Sequence, residues 1–231
     1  MNPMTGPVLP ASCLDFMRVL KDNNAREWFA QNKEAYQTEL GYVEAFADAL
    51  LKNINTHDVI ETPTGKKSLH RIYRDTRFAK DKTPFKTDWS GGFRRATKYR
   101  RGGYYYHFEP GNSFVLGGFW GPSPLDLKRI RDDIAFDDTP LRDILSSATF
   151  IDTFGKLQGE QLKTSPKGYD PVHEAIDLLR YKQFLIIRRF SDQEVLSDNF
   201  FREVCQVSRN MRPFFDYMSE VLTADVNGLA V

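Results

Sequence analysis

The stretch from residue 104 to residue 120 constrains the fold most, because it combines two strand-like segments with a strong turn signal. Residues 104–108 and 113–120 are rich in aromatic and apolar side chains, and Glu109-Pro110-Gly111-Asn112 separates them. Proline fixes φ at the second position of such a turn, and glycine permits a positive φ at the third. The sequence therefore predicts an antiparallel hairpin, which excludes a purely helical fold.

Helices are predicted before this hairpin. Residues 14–20 indicate a short helix, and Asn24 with Glu27 resembles a capping box in which each side chain reaches the other residue's backbone N–H. Behind it, apolar residues recur at three-, four- or seven-residue spacing from Phe29 to Ile54. This spacing predicts one long amphipathic helix.

Helices are also predicted after the hairpin. Ser123-Pro124 and Thr139-Pro140 each place an N-cap residue before a proline, which is a standard helix start. The last helix carries apolar residues from 201 to 222 and contains Pro213. Because proline has no N–H to offer the carbonyl of Arg209, we expect a kink there.

Two further strands complete the expected architecture, at residues 69–74 and 184–190. Helices around a mostly antiparallel sheet define an α+β fold, with the hairpin at its centre, a long N-terminal helix and a kinked C-terminal helix. At 231 residues the chain can bury a proper core. We expect one domain over 14–222, a flexible leader over 1–13 and a flexible tail over 223–231.

Composition favours a cytoplasmic protein with no membrane segment. The longest apolar runs, such as residues 184–187, are far shorter than the roughly 20 residues that a spanning helix needs. The first ten residues resemble no signal peptide. Cys13 and Cys205 form neither a CxxC nor a zinc pattern, so both thiols are expected to be reduced.

Charge is distributed unevenly along the chain, although the net charge is only +1. Residues 66–101 hold thirteen Lys or Arg against three Asp, a net charge of +10, and the other residues together carry −9. The chain is therefore a basic stretch set in an acidic body, and such a stretch indicates an acidic ligand or partner.

The densest part of this stretch, residues 71–87, is here called the basic segment. Guanidinium groups bind carboxylate or phosphate in a bidentate fashion, so the segment is a candidate anion site. Asp75 and Asp81 would orient the cations or serve as a general base. The alternative is a solvated face neutralised by ordinary surface ion pairs. The predicted ligand-binding residues here are Arg71, Arg74, Arg77, Lys82 and Lys86.

A second basic element lies at residues 163–169. Gly168 permits a turn whose amides could bind an anion, with Lys167 at its rim and Tyr169 beside it. Ordinary loop chemistry accounts for the same residues.

Aromatic residues are interleaved with the basic stretch, an arrangement that could stack single-stranded bases. Strand alternation instead places Tyr104, Tyr106 and Phe108 in the core, so nucleic-acid binding ranks below small-anion binding. The aromatic residues concerned are Trp89, Phe93, Tyr99, Tyr104, Tyr105, Tyr106 and Trp120.

Motifs for common cofactors and metals are missing from the sequence. GxGxxG, the P-loop, GxSxG and HExxH do not occur, so no cofactor is predicted. The four histidines show no short ligand spacing. His70 and His107 could meet across a sheet beside Asp75 or Glu109, but hydrogen-bonded structural histidines are the favoured interpretation and no metal site is predicted.

Several motifs in a fixed order give the chain a family resemblance over about residues 14–222. They are Asn23-Asn24 followed by Trp28-Phe29, the basic segment, Gly103-Tyr104-Tyr105 with its hairpin, and Pro166-Lys167-Gly168-Tyr169 leading to Leu179-Arg180-Tyr181-Lys182. With these, the chain resembles the bacterial and fungal family known as domain of unknown function 2461. The resemblance implies one α+β domain and assigns no activity, substrate, cofactor or catalytic residue. Ala79 stands where the family often has Ser, and Phe85 where it often has Tyr, so neither hydroxyl is essential to any chemistry here.

Three functions use the basic segment in different ways. The first is binding of a small anionic metabolite, with or without catalysis; the second is nucleic-acid binding; the third is docking of an acidic protein partner. A cleft favours the first, an aromatic-lined groove the second and a flat patch the third. The sequence fixes neither the reaction nor the oligomeric state.

Overall fold

The computed structural model describes residues 6–223, and these form an α+β fold. The helices are α1 (Ala11–Asp22), α2 (Arg26–Gln31), α3 (Lys33–Ile54), α4 (Gly65–Ser68), α5 (Pro124–Phe136), α6 (Thr139–Ser146), α7 (Ala148–Phe154), α8 (Ile176–Leu179), α9 (Asp192–Val195), α10 (Phe200–Asn210) and α11 (Arg212–Thr223). The strands are β1 (Trp89–Arg94), β2 (Gly103–Phe108), β3 (Ser113–Phe119) and β4 (Phe184–Phe190).

The four strands form an antiparallel sheet in the order β1-β2-β3-β4. The predicted hairpin is confirmed as β2 and β3, and its turn is closed by Asn112 N–H donating to the carbonyl of Glu109 at 2.9 Å. Gly111 has a φ of 75°, the left-handed value that a side chain would strain. Burial alternates along β2, so its core face is apolar while Tyr105 and His107 lie on a partly exposed face.

Two compact units divide the chain, and each is described by itself. The first contains the described residues from Gly6 to Phe93 together with Tyr105–Val115 and Arg189–Gln206. At its centre the ring of Phe46 from α3 packs edge-on against Phe108 at 5.4 Å. The apolar face of the helix predicted from sequence therefore covers the core face of β2, as amphipathic helices do on a sheet.

The second unit contains Arg94–Tyr104, Leu116–Arg188 and the described residues from Val207 to Thr223. Its core includes the ring of Tyr104, which packs edge-on against Phe215 at 5.0 Å. Arg95 is buried there at 2 % exposure, and its guanidinium donates to Asp216 at 3.0 Å and to the hydroxyl of Ser219 at 3.1 Å. A buried cation needs such partners, so these bonds make Arg95 a structural residue.

The helix starts and the C-terminal kink follow the sequence closely. Ser123 accepts a hydrogen bond from the N–H of Asp126 and caps α5, as predicted. The last helical stretch is broken between α10 and α11, next to Pro213, which confirms the kink. At α6 the N-cap residue is Asp138, one position earlier than predicted, because Thr139 already has helical geometry.

One prediction about the N-terminal helices is wrong, while the long amphipathic helix is confirmed as α3 with a different start. Asn24 and Glu27 form no capping box, because α2 is capped by Ala25 and the Asn24 side chain is engaged elsewhere. The long helix also starts later than expected: α2 ends at Gln31 and α3 begins at Lys33, with Asn32 between them.

Residues 69–74 do not form the predicted strand. They make two isolated antiparallel bridges, Leu69 with Gly91 and Tyr73 with Phe85. Between these bridges the register changes, because the chain from 85 to 91 has two more residues than the chain from 69 to 73. A regular ladder cannot continue across such an insertion, so the pairing is interrupted.

The predicted domain boundaries remain predictions. Ala11–Cys13, which fall within the expected leader, are helical, while residues 1–5 and 224–231 lie outside the described residues. Among the helices of residues 6–223, none has the length and apolar character needed to cross a membrane.

Asn24 is the polar residue that fixes the basic segment to the helices of the first unit. Its side-chain amide donates to the carbonyl of Phe85 and accepts from the N–H of Phe85, both at 3.0 Å. We expect Asn24→Ala to lower the free energy of unfolding by about 1–3 kcal/mol in urea denaturation, because two half-buried backbone groups lose their partner.

The neighbouring Asn23→Ala is the matched control, since the exposed Asn23 side chain bonds only the Val19 carbonyl at the end of its own helix. Asn23→Ala should lower the free energy of unfolding by no more than about 0.5 kcal/mol. Equal losses for the two variants would show that Asn24 has no special role in holding Phe85.

Candidate functional site

The two halves of the basic segment lie side by side in the first unit. The backbone N–H of Arg74 donates to the carbonyl of Pro84 at 2.9 Å, and that of Lys86 donates to the carbonyl of Ile72 at 2.8 Å. Opposite and diagonal positions of such a pairing are close enough for long side chains to interact. The fold-back thus brings Arg74 and Lys86 into one neighbourhood, although they are twelve residues apart in the chain.

Arg74 is held by one end of its guanidinium group. Its Nη1 donates to Asp81 at 2.5 Å and to the hydroxyl of Thr83, while the side chain remains 29 % exposed. Among residues 6–223, nothing bonds its Nε or Nη2. One edge of a fixed, planar guanidinium is therefore available for a bidentate acceptor.

Other cations of the segment differ in how far they are engaged. Arg77 forms a bidentate ion pair with Asp75, in which Nε donates to Oδ1 at 3.0 Å and Nη2 donates to Oδ2 at 2.6 Å. The Arg77 side chain is 77 % exposed. Lys82 donates to the carbonyl of Thr76 at 2.8 Å. Arg71 and Lys86 have no side-chain hydrogen bond or ion pair within the described part of the chain. The acids of the basic segment therefore neutralise some of its positive charge, while the charges of Arg71 and Lys86 are not neutralised by an ion pair with any described residue.

Asp81 is the acid that orients Arg74. It accepts the backbone N–H of Thr83 at 2.9 Å as well as the bond from Arg74. The Thr83 N–H, followed by the Arg74 side chain, lowers the pKa of Asp81 to about 2. The pKa of Asp75 is lowered as well, above all by its hydrogen bond from Arg77. Carboxylates held in this way are poor proton acceptors at neutral pH.

A second group of polar side chains occupies the partly exposed face of the sheet in the first unit. We call Asp88, Tyr105, His107 and Glu109 the His107 cluster. His107 Nε2 lies 3.1 Å from Glu109 Oε2, and its Nδ1 lies 3.3 Å from the Tyr105 hydroxyl and 3.6 Å from Asp88 Oδ1. The imidazole is also stacked on Phe114 at 4.7 Å. Its orientation is therefore fixed on both edges and one face.

Electrostatics within this cluster keep Glu109 ionised and Tyr105 protonated. Burial alone would raise the pKa of Glu109, but hydrogen bonds from Asn112 and His107 outweigh it and hold the pKa below its usual range. Burial raises the pKa of Tyr105, and the nearby carboxylates of Asp88 and Glu109 add to this effect. A carboxylate, an imidazole and a phenol in contact can exchange protons with a bound molecule.

His70 connects the cluster to the basic segment. Its backbone N–H donates to the carbonyl of Ser90 at 2.9 Å, and its ring lies 5.8 Å from that of Tyr105. Burial and the charge of Lys86 lower the pKa of His70, while Asp88 acts in the opposite direction. Lys86 and Asp88 therefore both lie within electrostatic reach of this imidazole.

The two histidines singled out by the sequence do not converge on a metal. The ring of Tyr105 lies beside both, 5.8 Å from His70 and 6.3 Å from His107. No group of three or more His, Cys, Asp or Glu in residues 6–223 has the arrangement needed to hold a metal ion. The bonds of His107 to Glu109 and Tyr105 suit a hydrogen-bonding or proton-transfer role.

Lys167 and Tyr169 belong to the second unit, while the five predicted cations of the basic segment belong to the first. Around them the chain turns at Gly168, whose φ is 92°, and Tyr169 N–H donates to the carbonyl of Pro166 at 3.2 Å. The Tyr169 hydroxyl donates to Asp132 at 2.8 Å; burial, followed by this bond, raises its pKa to about 12. Anion binding by these two residues remains a prediction.

Most aromatic residues near the basic stretch belong to the core. Trp89, Phe93, Tyr104 and Tyr106 are each no more than 3 % exposed. Sequence reasoning missed Phe78, at the tip of the basic segment, which is 96 % exposed. It named His107 beside Glu109 but missed Tyr105 and Asp88 as members of the His107 cluster, although the polar residues at 105, 107 and 109 recur at the strand period of two.

Comparison with known proteins places the chain in a family. The model of the family described as "Conserved hypothetical protein (DUF2461)" matches residues 12–217. The protein belongs to this family, as its sequence motifs indicated. Neither the curated proteins nor the solved structures gave a match. The family description names no activity, so a proposed function has to be argued from the site itself.

The ionisation of Asp81 tests the geometry of the basic segment. We expect the carboxyl to titrate at about 2 in a carbonyl-detected NMR titration. The folded state holds the pKa of Asp81 below its ordinary value of 3.8, so the ionised carboxylate stabilises the fold at any pH above 3.8. This stabilisation is lost as the pH falls from 3.8 towards 2. Arg74→Ala should raise the pKa while leaving it below 3.8, because Thr83 still donates.

Arg77→Ala is the control for that titration, since Arg77 bonds Asp75 and not Asp81. It should leave the Asp81 titration unchanged. An unshifted Asp81 in Arg74→Ala, or an equal shift in both variants, would contradict the described arrangement.

Proposed function

We propose that the protein binds a small anionic ligand, carrying phosphate or carboxylate, through Arg74 and Lys86 of the basic segment. The observation that carries this proposal is the state of Arg74, which Asp81 and Thr83 hold by one nitrogen while its other edge has no partner among residues 6–223. A guanidinium fixed in this way loses little freedom on binding, so more of the interaction energy appears as affinity.

Lys86 supplies a second charge for the same anion. It lies on the part of the chain whose backbone pairs with residues 72–74. Its side chain is half-buried and has no ion-pair partner in the described chain. The charge of Arg74 is partly compensated by Asp81, whereas Lys86 has no ion pair in the described chain, so an anion that contacts both would compensate the remaining positive charge. Arg71, Arg77 and Lys82 would enlarge the positive field around the site and attract the ligand. Lys167 and Tyr169 are proposed as a further anion contact in the second unit.

Asp81 and Asp75 act as orienting residues in this proposal. Their low pKa values make them weak bases, whereas their ion pairs fix Arg74 and Arg77. If a reaction follows binding, the His107 cluster is the better source of proton transfer, because its imidazole contacts both the Glu109 carboxylate and the Tyr105 hydroxyl. We further propose a cytoplasmic location, in keeping with the buried cysteines Cys13 and Cys205, neither of which takes part in a disulfide within residues 6–223.

Nucleic-acid binding is the second candidate, and one observation favours it. Phe78 is 96 % exposed and Tyr73 is 54 % exposed, and both lie among the cations of the basic segment, where bases could stack on them. Against it, four of the seven aromatic residues that suggested this function from sequence are buried. Docking of an acidic partner would use the same exposed tip.

Thermal stability in the presence of phosphate tests the small-anion proposal. A ligand that binds only the folded state stabilises it by about 2.7 kcal/mol at a hundredfold excess over its Kd, roughly 5–10 °C in Tm for a chain of this size. We expect such a rise for the wild type at constant ionic strength. Arg74→Ala and Lys86→Ala should each remove most of the rise.

Lys52→Ala is the matched control, since Lys52 is an exposed cation near the end of α3. It should retain the full increase in Tm. The same increase in all four proteins, or none in the wild type, would leave the basic segment as an ordinary solvated surface. Tight oligonucleotide binding that weakens in Phe78→Ala would favour the second candidate instead.

A further inference from the structure

Two opposite charges lie close together in the first unit without pairing. Lys86 and Asp88 are two residues apart, both act on the pKa of His70, and no ion pair joins them. Each has a different set of neighbours: Lys86 lies on the chain paired with residues 72–74, whereas Asp88 belongs to the His107 cluster. The anion site therefore has a negative group at its border.

Asp88 has unused acceptor capacity. Its side chain is only 16 % exposed, yet its carboxylate accepts no hydrogen bond from any described residue. Oδ1 is buried, and the 3.6 Å that separates it from His107 Nδ1 is longer than a hydrogen bond. Buried polar groups in folded proteins are nearly always hydrogen-bonded, so Oδ1 of Asp88 is an exception that needs an explanation.

Glu109 provides the contrast within the same cluster. It accepts bonds from Asn112 at 2.8 Å and from His107 at 3.1 Å, so its charge is already compensated by neighbours. His107 in turn meets the Tyr105 hydroxyl on its other edge. Of the two carboxylates, Asp88 is the one that can still accept a hydrogen bond from a donor on a ligand.

We propose that the ligand of this site is a zwitterion, whose anionic group binds Arg74 and Lys86 and whose protonated amine donates to Asp88. This inference rests on the function proposed above and names the class of ligand. A protonated amine suits Asp88 better than a hydroxyl, because a bond between two charged groups is stronger than one to a neutral donor. A carboxylate with unused acceptor capacity beside Arg74 and Lys86 also discriminates against purely anionic molecules, which it repels.

Isothermal titration calorimetry with three probes tests the proposal. Ethyl phosphate carries the anion alone, glycerol 1-phosphate adds hydroxyl groups, and O-phosphoethanolamine adds an ammonium group. We expect O-phosphoethanolamine to bind the wild type about tenfold more tightly than ethyl phosphate, with glycerol 1-phosphate between them. Asp88→Asn should abolish the preference, and Lys86→Ala should weaken all three probes alike.

Asp22→Asn is the control for the acid substitution, because Asp22 is an exposed carboxylate at the end of α1. It should keep the tenfold preference. Equal affinity of the wild type for all three probes would overturn the zwitterion proposal while leaving anion binding intact. Tighter binding of glycerol 1-phosphate than of O-phosphoethanolamine would overturn it too. Failure of every probe to bind would instead overturn the function on which it rests.

Discussion

Two hydrogen bonds between the Asn24 side-chain amide and the backbone of Phe85, one donated and one accepted by Asn24, hold Phe85 in place, and the candidate site depends on them. The Phe85 ring is buried at 2 % exposure and stacks on Phe29 at a centroid distance of 4.1 Å. Phe85 therefore has both its backbone and its ring fixed, and Lys86 follows directly in the chain. Because Tyr73 pairs with Phe85, the same anchor also positions Arg74 on the opposite segment. The positions of Arg74 and Lys86 in the basic segment therefore both depend on the fixed position of Phe85.

Much of the fold could be predicted, because it depends on local signals. The β2–β3 hairpin follows from its turn residues, β4 from its run of Phe and Ile, and the kink from the missing N–H of Pro213. Two of the errors arose where residues distant in the chain overrode the local pattern. Asn24 looks like half of a capping box, but its amide serves Phe85, 61 residues away. Residues 69–74 have strand character, but the extra residues opposite them break the ladder.

The site could be predicted less completely, because it depends on which charges remain after pairing. Sequence showed a dense run of cations; it could not show that Asp75 neutralises Arg77 or that Asp81 leaves one edge of Arg74 available. The His107 cluster was hidden for a related reason. Its members at 105, 107 and 109 follow the strand period, but Asp88 reaches them only through the pairing of β1 with β2. Long-range pairing of this kind leaves no trace in local sequence.

Anion binding by Arg74 and Lys86 can be observed in a crystal of the protein soaked in tungstate, through its anomalous difference map. Tungstate replaces phosphate, and the metal scatters strongly enough to be located without ambiguity. We expect a tungstate peak in the first unit, with oxygens about 2.8 Å from Nη2 of Arg74 and Nζ of Lys86. A peak bound only at other exposed cations, or no ordered tungstate near Arg74, would contradict anion binding at this site.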